Sequence, residues 1–293
     1  MGGHPLQAAR AGGGDDVKVL KSLGVHAIIL SAVAFALYPV LWVVSLALSP
    51  NEPPGAIPWP SDPSLDALSE VVLRQDDEGT YLFLMQTGAS LLVAFATAFV
   101  AILIATPAAY ALSRFRFVGK DASLSALLAT QMFPGVAAAI PLYLLLDAIG
   151  LIDHLGGLVL VYATTAVPFA IFQLRGAFDG IPRDLEEAAM VDGATRLQAF
   201  RLVVLPTVRP ALAVTALFAF MTAWNEFILA ATFLSREEIF TLPVVLQRYV
   251  GEHRAQWGHF AAGAIVVSVP VMALFYWLQR HLVGGLTAGG VKG

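Results

Sequence analysis

The chain contains no cysteine, which excludes a disulfide scaffold, a thiolate zinc site and a cysteine-held iron–sulfur cluster. It is also poor in charge. Asp, Glu, Lys and Arg make up 13% of the 293 residues, about half the share usual in soluble domains. A soluble fold of this size could not cover its surface with so few charges, so an ordinary cytosolic enzyme and a disordered chain are both excluded. Basic excess is missing too. A net charge of −4 argues against a nucleic-acid binder, which must neutralise phosphate. Signatures of catalysis are equally scarce. Gly119-Lys120 is followed by Asp121, without the upstream glycine of a phosphate loop, and neither H-E-x-x-H nor G-x-S-x-G occurs. The six histidines are scattered, so no metal site and no enzyme are expected.

Apolar residues are what the chain has in abundance: 58% of the total, with a mean hydropathy of +0.74. A bilayer core needs roughly 20 apolar residues in helix, and six stretches meet that need. They are Val25–Leu48, Leu82–Leu112, Ala122–Leu146, Leu155–Leu174, Ala211–Leu234 and Phe260–Leu278. The first is too long for a signal-peptide core and reads as a retained anchor. The second is long enough to tilt and continue beyond the membrane, with a bend expected at Pro107. Breaks are expected in the third around Phe133-Pro134-Gly135 and at Pro141. The fifth carries one acid, Glu226. The fold class is therefore an all-α integral membrane protein of six transmembrane helices.

The basic residues orient it. Thirteen of the seventeen fall on the side shared by both termini, which places the termini in the cytoplasm. The organisation expected is a flexible tail (1–21), a first transmembrane helix (22–48), an extracytoplasmic loop (49–81), a core (82–281) and a cytoplasmic tail (282–293). The first outer loop is acidic and rich in proline, with little helical period. A second outer loop, Ser235–Gly258, carries Arg248, Tyr249, Arg254 and Trp257.

The cytoplasmic loop within residues 182–206 is the most informative segment. Pro182 suits a first helical turn, and Asp184, Glu186 and Glu187 set acid at the positive end of a helix dipole. Asp192-Gly193 signals a stop, with glycine free to take positive φ. Thr195-Arg196-Leu197-Gln198 then has capping-box form and starts a second helix. Leu197, Phe200 and Val204 follow at helical spacing, and Pro206 is expected to end that helix. The product is two short helices at an angle, with Ala188, Ala189 and Gly193 leaving room at the elbow for another backbone. Such a hairpin either connects two spans or docks a cytoplasmic partner.

These residues carry a resemblance. Glu187-Ala188-Ala189, Gly193 after three residues, and Val203-Val204-Leu205-Pro206 after nine more match the EAA loop of ATP-binding-cassette importer permeases, with valine in the isoleucine place. The chain further resembles MalG-like permeases of maltose/maltodextrin importers through Arg114–Lys120, Gln131–Pro134, Leu185–Val204 and Gln279–Gly293. The likeness runs from about residue 85 to the last. Trp224-Asn225-Glu226-Phe227 is common in carbohydrate permeases but departs from the maltose subunit, so trehalose or another disaccharide stays open.

The resemblance implies a type I importer permease fold in a bacterial inner membrane. It implies that Glu187, Ala188, Ala189, Asp192, Gly193, Phe200, Leu205 and Pro206 couple to an ATPase. ATP and Mg would then sit on a partner ATPase dimer, with no cofactor on this chain. The tail residues Gly290, Val291 and Lys292 would reach that ATPase. A second permease subunit and an extracytoplasmic sugar-binding protein are the other implied partners, alongside membrane lipid. Arg248, Tyr249 and Trp257 are candidate contacts for the binding protein. Asn225 and Glu226 are candidate pathway residues, with a structural role weighed slightly higher. The rival class, a secondary transporter, requires paired ionisable groups inside spans, and Glu226 stands without a second.

Overall fold

The computed structural model describes residues 13–49, 60, 62–133, 135–251 and 255–289. Among these the chain is helical, with one isolated antiparallel bridge between Gln75 and Tyr81. In order the helices are α1 (Gly13–Ala47), α2 (Asp66–Val72), α3 (Leu82–Arg114), α4 (Lys120–Met132), α5 (Ala139–Ala148), α6 (Leu155–Asp179) and α7 (Arg183–Val191). Then come α8 (Arg196–Ala199), α9 (Leu205–Thr207), α10 (Arg209–Trp224), α11 (Ile228–Phe233), α12 (Leu242–Gly251) and α13 (Trp257–Gly289). A π-helical segment, Phe200–Val204, joins α8 to α9.

Four helical stretches are long and apolar enough to cross a membrane: Leu20–Ala47, Leu82–Arg114, Leu155–Asp179 and Trp257–Gln279. The number reaches six if each of two bent pairs counts as one span. One pair is α4 with the segment Gly135–Ala148. Its break falls where expected, at Phe133, whose extended backbone (φ −80°, ψ 127°) is what a residue before proline prefers. Pro141 does not break the helix. It lies in the first turn of α5, where an N–H is not needed. The fifth expected span is not continuous either: α10 stops at Trp224 and helix resumes only at Ile228.

Differences also appear at the flanks. Helix α1 begins at Gly13, within the segment expected to be a tail, and α13 runs on to Gly289. The first outer loop contains α2, started by Ser64, whose hydroxyl accepts the Asp66 N–H at 3.0 Å.

The chain divides into two compact units. One comprises residues 1–70 and 256–265. There α1 is exposed along most of its apolar length, the backbone of Ser64 bonds back to Leu48 (2.8 Å), and the His259 ring lies 2.6 Å from the Glu70 carboxylate.

The other unit, residues 71–255 and 266–293, is organised around α3, which packs chiefly on α6, with α10 against both. The buried face of α3 reads Ala94, Ala98, Ala101, Ala105, Ala109 at steps of three and four. α6 buries Ala163, Ala166 and Ala170. Methyl side chains let two helix backbones approach closely, the packing that membrane helices favour in the absence of a hydrophobic drive between them. Both helices pass through a proline, Pro107 in α3 and Pro168 in α6, without interruption. At about 50 Å, α3 exceeds the hydrocarbon thickness of a bilayer.

At the start of α6, Gly157 touches the preceding turn so closely that a Cβ there would be driven into the carbonyl oxygen of Leu151. Its neighbour Gly156 faces open space. Gly157→Ala should therefore lower the melting temperature of the detergent-solubilised protein, at a cost of about 1–3 kcal/mol. Gly156→Ala should leave it unchanged or raise it.

Candidate functional site

The C-terminal ends of α3 and α6 meet, Ser113 bonding to Asp179, and there they hold the elbow made by α7 and α8. Pro182 is extended (ψ 134°) and directly precedes α7. Of the three acids at the head of this helix, Glu186 alone turns inward. Its side chain is 7% exposed and that of Arg114, from α3, is 6%. Arg114 Nε donates to Glu186 Oε2 at 3.1 Å, and the Tyr110 hydroxyl donates to Oε1. Arg114 Nη2 donates to the Ile181 carbonyl at 3.0 Å, and Arg183 Nη2 reaches the Ser113 carbonyl at 3.3 Å. Ser113 Oγ donates to Asp179 at 2.6 Å. A buried ion pair is tolerable only when its remaining donors and acceptors are met, and here both partners also bond to neighbours. Around it Tyr110 packs on Phe200 (ring centroids 4.4 Å apart) and on Phe178 (5.8 Å). Leu174, Val204 and Val208 complete this apolar root. The sequence had suggested only a helix-dipole role for Glu186.

The elbow's own turn is closed at both ends. Gly193 takes φ +93°, the Gly193 N–H bonds to Met190 O (3.1 Å) and the Ala194 N–H to Ala189 O (3.0 Å). That is a Schellman motif, open to glycine because no Cβ opposes positive φ. The expected capping box follows: Gln198 N–H to Thr195 Oγ1 at 3.3 Å and Thr195 N–H to Gln198 Oε1 at 2.7 Å. Pro206 does not end the second helix, which runs to Thr207. Having no N–H, proline cannot complete the regular bond to Leu202 and its ring crowds that carbonyl. The chain widens just before it, with Leu205 N–H bonded back to Phe200 O. The turn at Val208 then bends the path by 73° into α10.

The residues singled out from the sequence separate into two sets here. Glu187, Ala188, Asp192 and Gly193 are exposed, together with the apolar Leu185, Val191, Leu197 and Leu202. Ala189, Phe200, Leu205 and Pro206 are half-buried, Phe200 and Leu205 against the root. The first set forms a face, the second its foundation.

Asn225 and Glu226 occupy the break between α10 and α11. Glu226 Oε1 accepts the Leu229 N–H (2.9 Å), and Oε2 accepts the Ala230 N–H (3.1 Å) and the Tyr162 hydroxyl (2.6 Å). The carboxylate thus satisfies the first free N–H groups of α11 and ties it to α6. This is why helix stops at Trp224: the acid caps a new helix. Asn225 remains exposed, with its Nδ2 on Met221 O at 2.9 Å.

Beyond α11 lies a cleft of about 450 Å³, with Leu234, Phe240 and Val244 as its floor and Gln247 and Arg248 on its rim. Arg248 stacks over Phe240 (4.5 Å) and approaches Glu237 (3.6 Å), which also pairs with Arg74 (3.0 Å). Burial pushes the Tyr249 phenol above its usual range, against the pull of Arg74. Nearby, Asp153 sits at positive φ and receives the backbone N–H groups of Ser235 and Arg236 and the Arg236 guanidinium. Burial would raise its carboxyl, but those donors outweigh it and hold the group below the usual carboxylate range. Trp257 belongs to the first unit and is exposed beside Phe260. Arg254, Gly290, Val291 and Lys292 lie outside the described residues.

Comparison with known proteins agrees with this architecture. The family described as "Binding-protein-dependent transport system inner membrane component" matches residues 98–287. The chain is 38% identical over 265 residues to the trehalose transport system permease protein SugB of Mycobacterium tuberculosis, covering 89% of this chain and 94% of that one. It is 37% identical over 288 residues to the maltose/maltodextrin transport system permease protein MalG of Yersinia pestis, covering 94% of each. The crystal structure of a bacterial ABC transporter involved in import of the acidic polysaccharide alginate contains a chain with the same fold (TM-score 0.72, 24% identity, 89% of this chain and 96% of that chain covered). With its helical spans, its elbow and these likenesses in agreement, the chain belongs to the family of binding-protein-dependent inner-membrane transport components, as a multi-pass permease of the bacterial inner membrane.

Proposed function

We propose that this chain is one of two permease subunits in an ATP-driven sugar importer, with maltose or maltodextrin as the leading substrate and trehalose as the alternative. The observation that carries the coupling half is the elbow. Its outward face offers Leu185, Val191, Leu197 and Leu202 beside Glu187 and Asp192, an apolar and acidic surface suited to a protein partner, while a buried ion pair fastens its root to α3. An ATPase dimer seated there pushes on a rigid foot instead of a loose loop. Its closure on ATP rotates α3 and α6 and opens the path toward an extracytoplasmic binding protein; hydrolysis restores the inward-open state. Both termini and the elbow then lie in the cytoplasm, and the cleft rimmed by Arg248 faces the binding protein.

The sugar half is supported by permeases named for trehalose and for maltose at nearly equal identity, which leaves the choice between them to measurement. Co-purification of an ATPase with this chain through detergent tests the class, and labelled-sugar binding by the cognate extracytoplasmic protein tests the substrate. Coupling has a sharper test. Gly193→Asp forces a side chain onto positive φ at the elbow and adds charge to its exposed face. It should leave the protein in the membrane and abolish sugar uptake while ATP hydrolysis persists. Normal uptake by this variant refutes the lever. A secondary transporter is disfavoured, since the acid at the break, Glu226, is engaged by two backbone N–H groups and a tyrosine.

A further inference from the structure

Among the polar side chains exposed along the apolar spans are Thr130 and Gln131 on α4, Thr164 and Thr165 on α6, Thr222 on α10 and Asn225 at its end. Two cross-ties bring them to one level. Gln131 Nε2 donates to the Thr165 carbonyl at 3.0 Å, joining α4 to α6. The Tyr162 hydroxyl donates to Glu226 at 2.6 Å, joining α6 to the break after α10. Thr164 and Thr165 lie within a turn of Tyr162, Asn225 adjoins Glu226, and Thr222 is one turn before it. Lipid offers no partner to exposed polar groups or broken backbone, so a surface of this kind at membrane depth faces water or protein.

The hydrogen-bond state of these groups narrows the ligand. Thr130, Thr164, Thr165 and Thr222 each donate to a carbonyl of their own helix, at 2.7, 2.6, 2.9 and 2.9 Å. Asn225 Nδ2 is likewise engaged at 2.9 Å, as is Gln131 Nε2. The four hydroxyl donors are occupied, so those oxygens accept, while each amide keeps its carbonyl oxygen and one further N–H. Along these helices the nearest basic residues, Lys120, Arg175 and Arg209, are ten or more residues from the belt, about 15 Å or more. A carboxylate would meet two amide N–H groups and no cation among a majority of acceptors; a hydroxyl, which both donates and accepts, can use every one of these groups.

We infer that this belt is a hydroxyl-accepting ledge on the translocation path, fitted to a neutral polyhydroxyl ligand such as an uncharged oligosaccharide and not to an acidic one. The inference rests on the sugar-importer reading. The test uses the complete importer in proteoliposomes, with its sugar-loaded binding protein saturating. The triple variant Thr164→Val, Thr165→Val, Thr222→Val keeps side-chain shape and removes three hydroxyls. It should slow uptake about three- to tenfold with unchanged subunit ratio and ATPase rate, so that sugar moved per ATP falls equally. The matching serine variant, which restores the hydroxyls, should recover wild-type transport.

Unchanged uptake in the valine variant overturns the ledge. So does dissociation of the complex, which would make the belt an adhesive between subunits. Transport of a uronic-acid oligosaccharide at the rate of a neutral one overturns the stated chemistry. A wild-type complex that moves no sugar refutes the importer reading itself, a result distinct from any of these.

Discussion

Glu186→Ala should cost the folded subunit about 3–5 kcal/mol, the largest loss expected from any single change at the elbow. Removing the carboxylate leaves the Arg114 guanidinium buried without its counter-charge and the Tyr110 hydroxyl without an acceptor. A lower melting temperature in detergent and faster proteolysis between α6 and α10 are the readouts. The adjacent change, Glu187→Ala, touches an exposed acid and should leave the melting temperature within error while weakening retention of a bound ATPase. The pair separates foundation from face. Replacing both members of the ion pair, Arg114→Met with Glu186→Gln, should recover much of the lost stability, because no orphan charge remains. A double variant as unstable as Glu186→Ala alone would show that the ion pair is not the source of the cost.

The second large effect is expected at the break between α10 and α11. Glu226→Ala strips the acceptor from Leu229 N–H, Ala230 N–H and the Tyr162 hydroxyl at once, and each buried group left unpaired costs about 1–3 kcal/mol. The yield of folded protein should fall sharply. Glu226→Gln, which keeps an accepting oxygen, should fall less. Whatever protein folds should transport at the wild-type rate per molecule, because both carboxylate oxygens are engaged by the protein itself. A Glu226→Ala variant with full yield and impaired uptake per molecule would reverse that assignment.

Much of this architecture is legible from residue order. The glycine stop at Gly193, the capping box at Thr195 and the break at Phe133 each follow from local backbone chemistry, and each is found. What escaped was long-range or inverted. On α7 the apolar Leu185 faces out and the acidic Glu186 faces in, the reverse of what hydropathy suggests. The inversion makes sense only once Arg114, 72 residues earlier, is brought beside it. The division of the fifth span was hidden for a related reason. Apolar composition is continuous across Trp224–Leu234 apart from Asn225 and Glu226, and hydropathy cannot tell a straight helix from two. The usable signal was an acid placed to meet N–H groups three and four residues on, a capping pattern inside an apolar run. Pro141 and Pro206 misled in the opposite direction, since proline at the start of a helix, or after a widened turn, interrupts nothing.

The Schellman turn and the capping box together close both ends of the elbow with bonds the elbow supplies itself. Its shape is therefore settled before any partner arrives. A segment that must order on binding forfeits part of its interaction energy to lost conformational freedom, whereas a preorganised one keeps it. Under the coupling proposed above, a foot that brings its own shape would stay attached while the partner changes conformation around it, so that association strength and the force transmitted could be set independently of one another.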